Sequence, residues 1–193
     1  MSHLNPFATW SAARTAPGVP LLQGMLPVAP AHPAANLFFF HFMKAGPTIL
    51  NSTVTGLNSY PYFSVTTDRS LPGYSAVTNP DGRVIALVEW KDRPLVEIRD
   101  VCSKRRVSDW LALSLDSSHR VMKVNGRKYI WAPHESTIYL YPAGTVTPDL
   151  LGRIYREDDG TASLELTITA VKAGLLEACV VATVLLQCGH KID

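Results

Sequence analysis

The chain has 193 residues, of which 47% are hydrophobic and 18% are charged, and its formal net charge is +2. This length suits one domain with a sizeable core, and this composition excludes a globally disordered chain. The small net charge argues against a nucleic-acid partner, which would need a face crowded with lysine and arginine.

The N-terminal part of the chain differs from the rest. Residues 1–35 hold six of the fourteen prolines, with alanines between them and no sustained hydrophobic period. Proline at this density blocks regular helices and central strands, so we predict a Pro/Ala-rich arm over 1–35 and one β domain over 36–193. The arm is either a flexible tail or a segment that docks onto a neighbouring copy. No secretory signal is recognisable, so a cytoplasmic location is expected.

Short apolar or alternating runs follow from residue 36 onward, separated by turn sequences such as Asn125-Gly126 and Asp81-Gly82. These dipeptides accept the positive φ angles of tight hairpins. The runs predict strands at 37–43, 49–55, 62–67, 74–79, 84–90, 95–99, 121–124, 128–132, 137–141, 151–156 and 163–171. A short helix is predicted at 108–113. Strands in hairpin series without alternating helices favour an antiparallel sheet.

The C-terminal segment 175–188 has a different pattern. Apart from Glu177, Thr183 and Gln187 it is apolar on every side, and Gly174 and Gly189 flank it as candidate caps. A helix that is apolar all round belongs in a core or a membrane, and about 21 Å is too short to span a bilayer. Its β-branched residues leave a buried central strand as the alternative. We predict a mainly β fold, in which an antiparallel closed or nearly closed barrel of about 11–12 strands encloses this helix.

Several stretches carry a resemblance to a known arrangement. They read DGRVIALVEW at 81–90, VSDWL at 107–111, GRKYIW at 126–131 and IYLY at 138–141, followed by the apolar segment. Strand pairs before a terminal apolar helix resemble the tubby, LURP-one and phospholipid-scramblase C-terminal fold. More specifically, the chain is similar to a basidiomycete fungal family of unknown function assigned to that fold. The resemblance covers about residues 60–190 and implies a tubby-like barrel, with no catalytic residues to carry over; tubby-like relatives are associated with phosphoinositide binding.

Five basic residues form the candidate ligand site. Lys104, Arg105 and Arg106 are the densest positive cluster, and Arg127 and Lys128 follow the Asn-Gly turn. If their strands pair as neighbours, these side chains could hold a phosphate or an anionic lipid headgroup, because guanidinium groups offer forked donors to such oxygens. The alternative is an ordinary solvated loop beside a charged hairpin.

Residues that suggest catalysis or metal binding are sparse. The six histidines show no metal-ligand spacing, and Cys102, Cys179 and Cys188 form no C-x-x-C pair. Asp116 precedes Ser117-Ser118-His119, and His134-Glu135 lies near Trp131, so a Ser–His–Asp triad is conceivable, but a polar turn is the simpler interpretation of the Asp-Ser-Ser-His sequence. We therefore expect no metal, no cofactor and no catalytic residue.

The function hypothesis that follows is a non-enzymatic binding or interaction module for an anionic lipid, a phosphate-bearing ligand or a protein partner. One alternative is a hydrolase with an unlocated pocket, and the other is a structural protein that self-assembles into a homo-oligomer through its N-terminal arm. No transmembrane segment is expected.

Overall fold

The computed structural model of the chain describes residues 37–44, 48–67, 73–145 and 148–193. These residues form thirteen strands, three α-helices and a 3-10 turn at Leu57–Ser59. The strands are β1 (Leu37–Lys44), β2 (Ser52–Thr55), β3 (Pro61–Thr67), β4 (Tyr74–Thr78), β5 (Val84–Glu89), β6 (Leu95–Ile98), β7 (Cys102–Arg106), β8 (Leu111–Leu113), β9 (Arg120–Val124), β10 (Arg127–His134), β11 (Thr137–Pro142), β12 (Gly152–Arg156) and β13 (Ala162–Thr167). The helices are α1 (Val107–Trp110), α2 (Ile168–Lys172) and α3 (Leu176–Gln187). The predicted arm over 1–35 lies outside the described residues.

All thirteen strands belong to one antiparallel sheet, in the order β7-β6-β5-β4-β3-β2-β1-β13-β12-β11-β10-β9-β8. Strands that follow one another in sequence are neighbours, with the exception of β7 and β8, and one long-range ladder joins β1 to β13, from Leu37 opposite Thr167 to Phe42 opposite Ala162. The predicted mainly β, antiparallel fold is therefore confirmed, and the sheet curls into a nearly closed barrel.

The odd number of strands explains why the barrel is not closed by hydrogen bonds. β7 and β8 are the two edges of the sheet, and every ladder between them is antiparallel, so with thirteen strands both edges run in the same direction. Parallel neighbours need a crossover of about a dozen residues or more, whereas α1 supplies four. Within the described residues no ladder joins β7 to β8, and a seam runs between them.

Helix α1 follows β7 and links the two sides of this seam. The backbone N–H of Val107 donates to the carbonyl of Pro94 at 2.9 Å, before β6 begins. On the other side of the seam, the indole N–H of Trp110 donates to the carbonyl of Lys123 on β9 at 3.0 Å. Both side chains are fully buried, so they replace the missing ladder with packing and two hydrogen bonds.

Helix α3 occupies the core, as predicted for 175–188. Residues 178–185 are all buried, which is more than two consecutive turns, so no side of this stretch faces solvent. Val181, Val184 and Leu185 join the same hydrophobic cluster as the inward-facing strand residues. The hydroxyl of Thr183 donates to the carbonyl of Cys179 at 2.8 Å, which satisfies the one hydroxyl that the helix buries.

Two predicted boundaries near the C-terminus are wrong. The strand predicted at 163–171 ends at Thr167, whose hydroxyl accepts the N–H of Ala170 at 3.2 Å and caps α2. Gly174 has φ of 73° and follows α2, where Leu175 donates back to Ala170, so this glycine ends α2 instead of capping α3.

The region 102–113 also differs from prediction. Lys104, Arg105 and Arg106, for which a solvated loop was one interpretation of the sequence, lie on the edge strand β7. The helix predicted at 108–113 starts and ends earlier, and Leu111–Leu113 forms the second edge strand, β8. These two short edges account for the additional strands.

Candidate functional site

The barrel has two ends with different charge. We call the end where α3 begins, beside Leu37 and Thr167, the proximal end, and the end where α3 finishes the distal end. Among the described residues, the distal connections and the segment after α3 hold seven acidic side chains and three basic ones: Asp92, Asp116, Glu135, Glu157, Asp158, Asp159, Asp193, Lys91, Arg93 and Lys191. The proximal connections and the first turn of α3 hold four acidic side chains and three basic ones: Asp81, Asp100, Asp149, Glu177, Arg83, Arg99 and Lys172. Anions are therefore favoured at the proximal end, where Arg127 and Lys128 add two further positive charges.

A cleft of about 690 Å³ opens at the proximal end. One wall is the start of β10 with Arg127 and Lys128, and the opposite wall is the end of β13 and the start of α2. The residues that line it are Leu37, Arg127, Lys128, Tyr129, Pro142, Ala143, Asp149, Leu150, Leu151, Thr167, Ile168, Thr169 and Ala173. Another cleft, of about 580 Å³, lies along β5 and the β6–β7 turn.

The hairpin between β9 and β10 positions the two basic residues. Asn125 and Gly126 have φ of 48° and 75°, the positive values that a two-residue turn needs. Arg127 and Lys128 come directly after this turn and are exposed. Because the turn is tight, both side chains are fixed at the mouth of the cleft by the hairpin register, Arg127 opposite Val124 and Lys128 opposite Lys123.

The electrostatics of the cleft mouth are unbalanced. Lys123 and Lys128 are cross-strand partners, and like charges placed opposite each other destabilise a sheet. In the described part of the chain no ion pair involves Lys123, Arg127 or Lys128. Asp149 is the single carboxylate among the lining residues. Two cations and one acid therefore line the cleft, and an added anion would also relieve the repulsion between Lys128 and its cross-strand partner Lys123.

The other predicted cluster lies elsewhere. Lys104, Arg105 and Arg106 are on β7, which is separated from β10 by the seam, β8 and β9. The structure therefore does not place the two basic groups on neighbouring strands. Arg105 is turned back along its own strand, where its Nε donates to the carbonyl of Ser103 at 3.1 Å.

Lys104 is neutralised by a residue that the sequence did not single out. Its Nζ lies 2.7 Å from a carboxylate oxygen of Glu89, whose side chain is 5% exposed. Lys91 pairs with the same carboxylate, and the hydroxyl of Tyr74 donates to it at 2.9 Å. Lys104, Lys91 and Tyr74 together lower the pKa of Glu89 to about 2, so the carboxylate stays charged.

The turn between β8 and β9 brings together the residues that resembled a triad. The Ser118 hydroxyl lies 2.8 Å from both carboxylate oxygens of Asp116 and 2.9 Å from Nδ1 of His119. In a catalytic triad the histidine stands between serine and acid, whereas here the serine does. Hydrogen bonds from Ser114 and Ser118 also lower the pKa of Asp116 to about 2. This geometry favours the polar-turn interpretation.

A second serine, histidine and acid meet on the outer face of the sheet, and the histidine is far from the other two in the sequence. The hydroxyl of Ser163 is 2.9 Å from Nδ1 of His41 and donates to Glu157 at 2.9 Å. His41 and Ser163 are cross-strand partners, a relationship set by the long-range pairing of β1 with β13. The serine is again central, and it is only 1% exposed.

Other kinds of site find little support where the chain is described. No group of three or more His, Cys, Asp or Glu residues could hold a metal ion there. None of the described helices has the length and apolar character needed to cross a membrane. Cys102, Cys179 and Cys188 are free thiols.

Comparison with known proteins gives a family but no activity. Residues 47–191 match a profile described as a family of unknown function (DUF6593). No curated protein matches the chain. Among solved structures, the X-ray structure of a protein from Arabidopsis thaliana is similar at 15% sequence identity, covering 82% of this chain and 99% of that chain, with a TM-score of 0.41. At that score the likeness does not bear on the fold, which the strand order itself defines.

Proposed function

The chain belongs to DUF6593, a family of unknown function, and we propose that it is a non-enzymatic binding module whose ligand carries phosphate or a similar anion. The ligand binds in the proximal cleft, between the start of β10 and the end of β13. The observation that carries this proposal is the pair Arg127 and Lys128 at the cleft mouth, with no ion pair among the described residues.

The interior of the barrel supports a surface site. Helix α3 fills the space that a small barrel would otherwise offer to a ligand. A ligand must then bind on the wall or at an end, and the proximal end is the less acidic of the two. The hydroxyl of exposed Thr169 and the apolar side chains of Leu37 and Leu150 complete a cleft with polar and apolar parts.

A tubby-like fold, a fungal origin and a cytoplasmic location belong to the same proposal. The meander of strands wrapped around a terminal apolar helix supports the first. An anionic lipid headgroup is one source of the phosphate, and a soluble phosphate ester is the other. The recognition chemistry is shared, because forked guanidinium donors and an ammonium group contact phosphate oxygens in both cases.

Vesicle sedimentation tests the proposal and separates the two sources. Phosphatidylcholine vesicles with and without a phosphatidylinositol phosphate are mixed with the protein, and inositol hexakisphosphate is added as a soluble competitor. We expect binding that falls with salt and is lost in the double variant R127A/K128A. Sedimentation with competition identifies a phosphate site open to both sources, and sedimentation without competition identifies the membrane surface. Binding of inositol hexakisphosphate alone, measured by calorimetry, identifies a soluble ligand.

The double variant R93A/K191A is the matched control, because it removes the same charge from exposed positions at the distal end. It should bind as the parent does. A third variant, K104A/R105A/R106A, tests the other basic group in the same assay. Absence of binding by the parent to every probe, or equal loss in the R127A/K128A and R93A/K191A variants, contradicts the proposal.

A further inference from the structure

We propose that the edge strand β7 is a docking site for an extended acidic peptide, which adds to the sheet as a further strand. The inference is independent of the proximal cleft, since β7 and β10 are not neighbours. It rests on three properties of β7: an open edge, a backbone donor that faces away from β6, and a run of basic side chains.

The edge is open and exposed to solvent. β7 pairs with β6 on one side, and no strand in the described part of the chain pairs with it on the other. Residues 103–106 are all exposed. With thirteen strands, β8 runs parallel to β7, and the four-residue helix between them is too short a connection for the two strands to pair. This edge of the sheet therefore has no partner strand from β8. An extended segment can use such an edge by forming main-chain hydrogen bonds.

The register shows which backbone groups face outward. The N–H of Val107 donates to Pro94, so these two residues form a hydrogen-bonded pair. Residue pairs along two antiparallel strands are alternately hydrogen-bonded and non-hydrogen-bonded. The next pair, Arg106 with Leu95, is therefore a non-hydrogen-bonded pair. Its N–H points away from β6, toward the open edge, and is available to an added strand.

The positive charge of β7 favours an acidic peptide as the partner. Lys104, Arg105 and Arg106 follow one another on the edge, and Glu89 neutralises Lys104 only. No described acid forms an ion pair with Arg105 or Arg106. Pairing of two copies through β7 would bring like charges together, which destabilises cross-strand pairs, whereas glutamates on a peptide would form favourable ones. The occupant is accordingly a foreign acidic segment instead of a second copy.

The backbone conformation of Arg106 permits a sharp test. Its φ of −64° equals the value that proline imposes, and the N–H that proline would remove has no partner in β6. Both R106P and R106A lose the guanidinium charge of residue 106, but only R106P also loses the backbone N–H of that residue. Both variants keep the backbone carbonyl of residue 106, at the N-cap of α1, so the two variants should melt at similar temperatures.

The probe is a fluorescent seven-residue peptide that alternates glutamate with valine and threonine, and its binding is measured by polarisation. We expect R106A to bind several-fold more weakly than the parent, and R106P to bind about tenfold more weakly again, as loss of one main-chain hydrogen bond implies. A peptide methylated on alternate backbone nitrogens and a peptide with lysine for glutamate should not bind. The R127A/K128A variant should bind the acidic peptide normally.

Two results would overturn the inference. If R106P and R106A bind the peptide equally, the contact is made by side-chain charge and no strand is added. If the parent binds the lysine peptide as well as the acidic one, or binds neither, β7 is not an acidic-peptide edge.

Discussion

Arg120 and Asp193 form a two-point ion pair at the distal end of the barrel, with Nη1–Oδ1 at 2.9 Å and Nη2–Oδ2 at 2.5 Å. Arg120 lies on β9 with its side chain 6% exposed, and it also donates to the carbonyl of Leu111. The pair holds the segment that follows α3 against the sheet.

Replacing Asp193 by asparagine should destabilise the fold by about 1–3 kcal/mol, because the carboxylate charge that pairs with the nearly buried guanidinium of Arg120 is removed. Urea unfolding monitored by tryptophan fluorescence measures the change. Asp158→Asn is the control, since Asp158 is an exposed distal acid, and it should be neutral within error. Equal stability of the Asp193 variant and the parent would show that the pair adds nothing to the fold.

The central position of α3 predicts that Val181→Asp prevents folding, because it buries an unpaired charge at a cost of several kcal/mol. Soluble expression and thermal melting measure the effect. Leu115→Asp provides the contrast, since Leu115 is fully exposed in the β8–β9 turn and should tolerate the same charge. A cooperative melt for Val181→Asp near the parent's temperature would be incompatible with an enclosed helix.

Glu89 should make the stability pH-dependent in acid. Its folded pKa is about 2, below its ordinary value of 4.5, because Lys104, Lys91 and Tyr74 favour the carboxylate. A depressed folded-state pKa stabilises the fold fully above the ordinary value, and this contribution is lost as the pH falls from about 5 towards 2. The melting temperature of Glu89→Gln should lie below the parent's at pH 7, and the difference should shrink towards pH 2. Glu135→Gln, an exposed control, should show no such convergence.

The three thiols should differ in reactivity. Burial raises the pKa of all three thiols, that of Cys188 to about 11, but Cys102 is only partly buried and is therefore the accessible one. The thiolate is the reactive form, so iodoacetamide at pH 8 should modify Cys102 first and the other two only after unfolding. Mass spectrometry of digested protein before and after urea distinguishes them. Native labelling of Cys179 at the rate of Cys102 would contradict the burial of α3.

The sequence predicted those parts of the fold that depend on local patterns. Asn125-Gly126 marks its hairpin because few residues adopt two successive positive φ angles, and residues 175–188 lack any polar face. β7 was missed because an exposed edge strand needs no apolar alternation, and Cys102–Arg106 shows none. β13 was extended too far because Ile168 and Val171 continue the apolar pattern, while the Thr167 cap turns the chain into α2.

The candidate site was predicted only in part. Arg127 and Lys128 were recognised as basic residues after a turn, and they do line a cleft. Their neighbours on the opposite wall, such as Thr169 on α2, come some forty residues later in the chain, and no local signal connects the two. The neutralisation of Lys104 by Glu89 likewise depends on β5, β6 and β7 lying side by side.

The pairing of β1 with β13 has a consequence for the order of events in folding. Two meanders, β1–β7 and β8–β13, consist of neighbours in sequence and can form early, but the ladder between Leu37 and Thr167 must close a loop of about 130 residues. Since closing so long a loop has a large entropic cost and non-local contacts slow folding, that ladder should be the slow step. Until that ladder forms, only half of the sheet can pack around α3. The apolar surface of α3 is then exposed, and we expect aggregation of the folding chain to begin there.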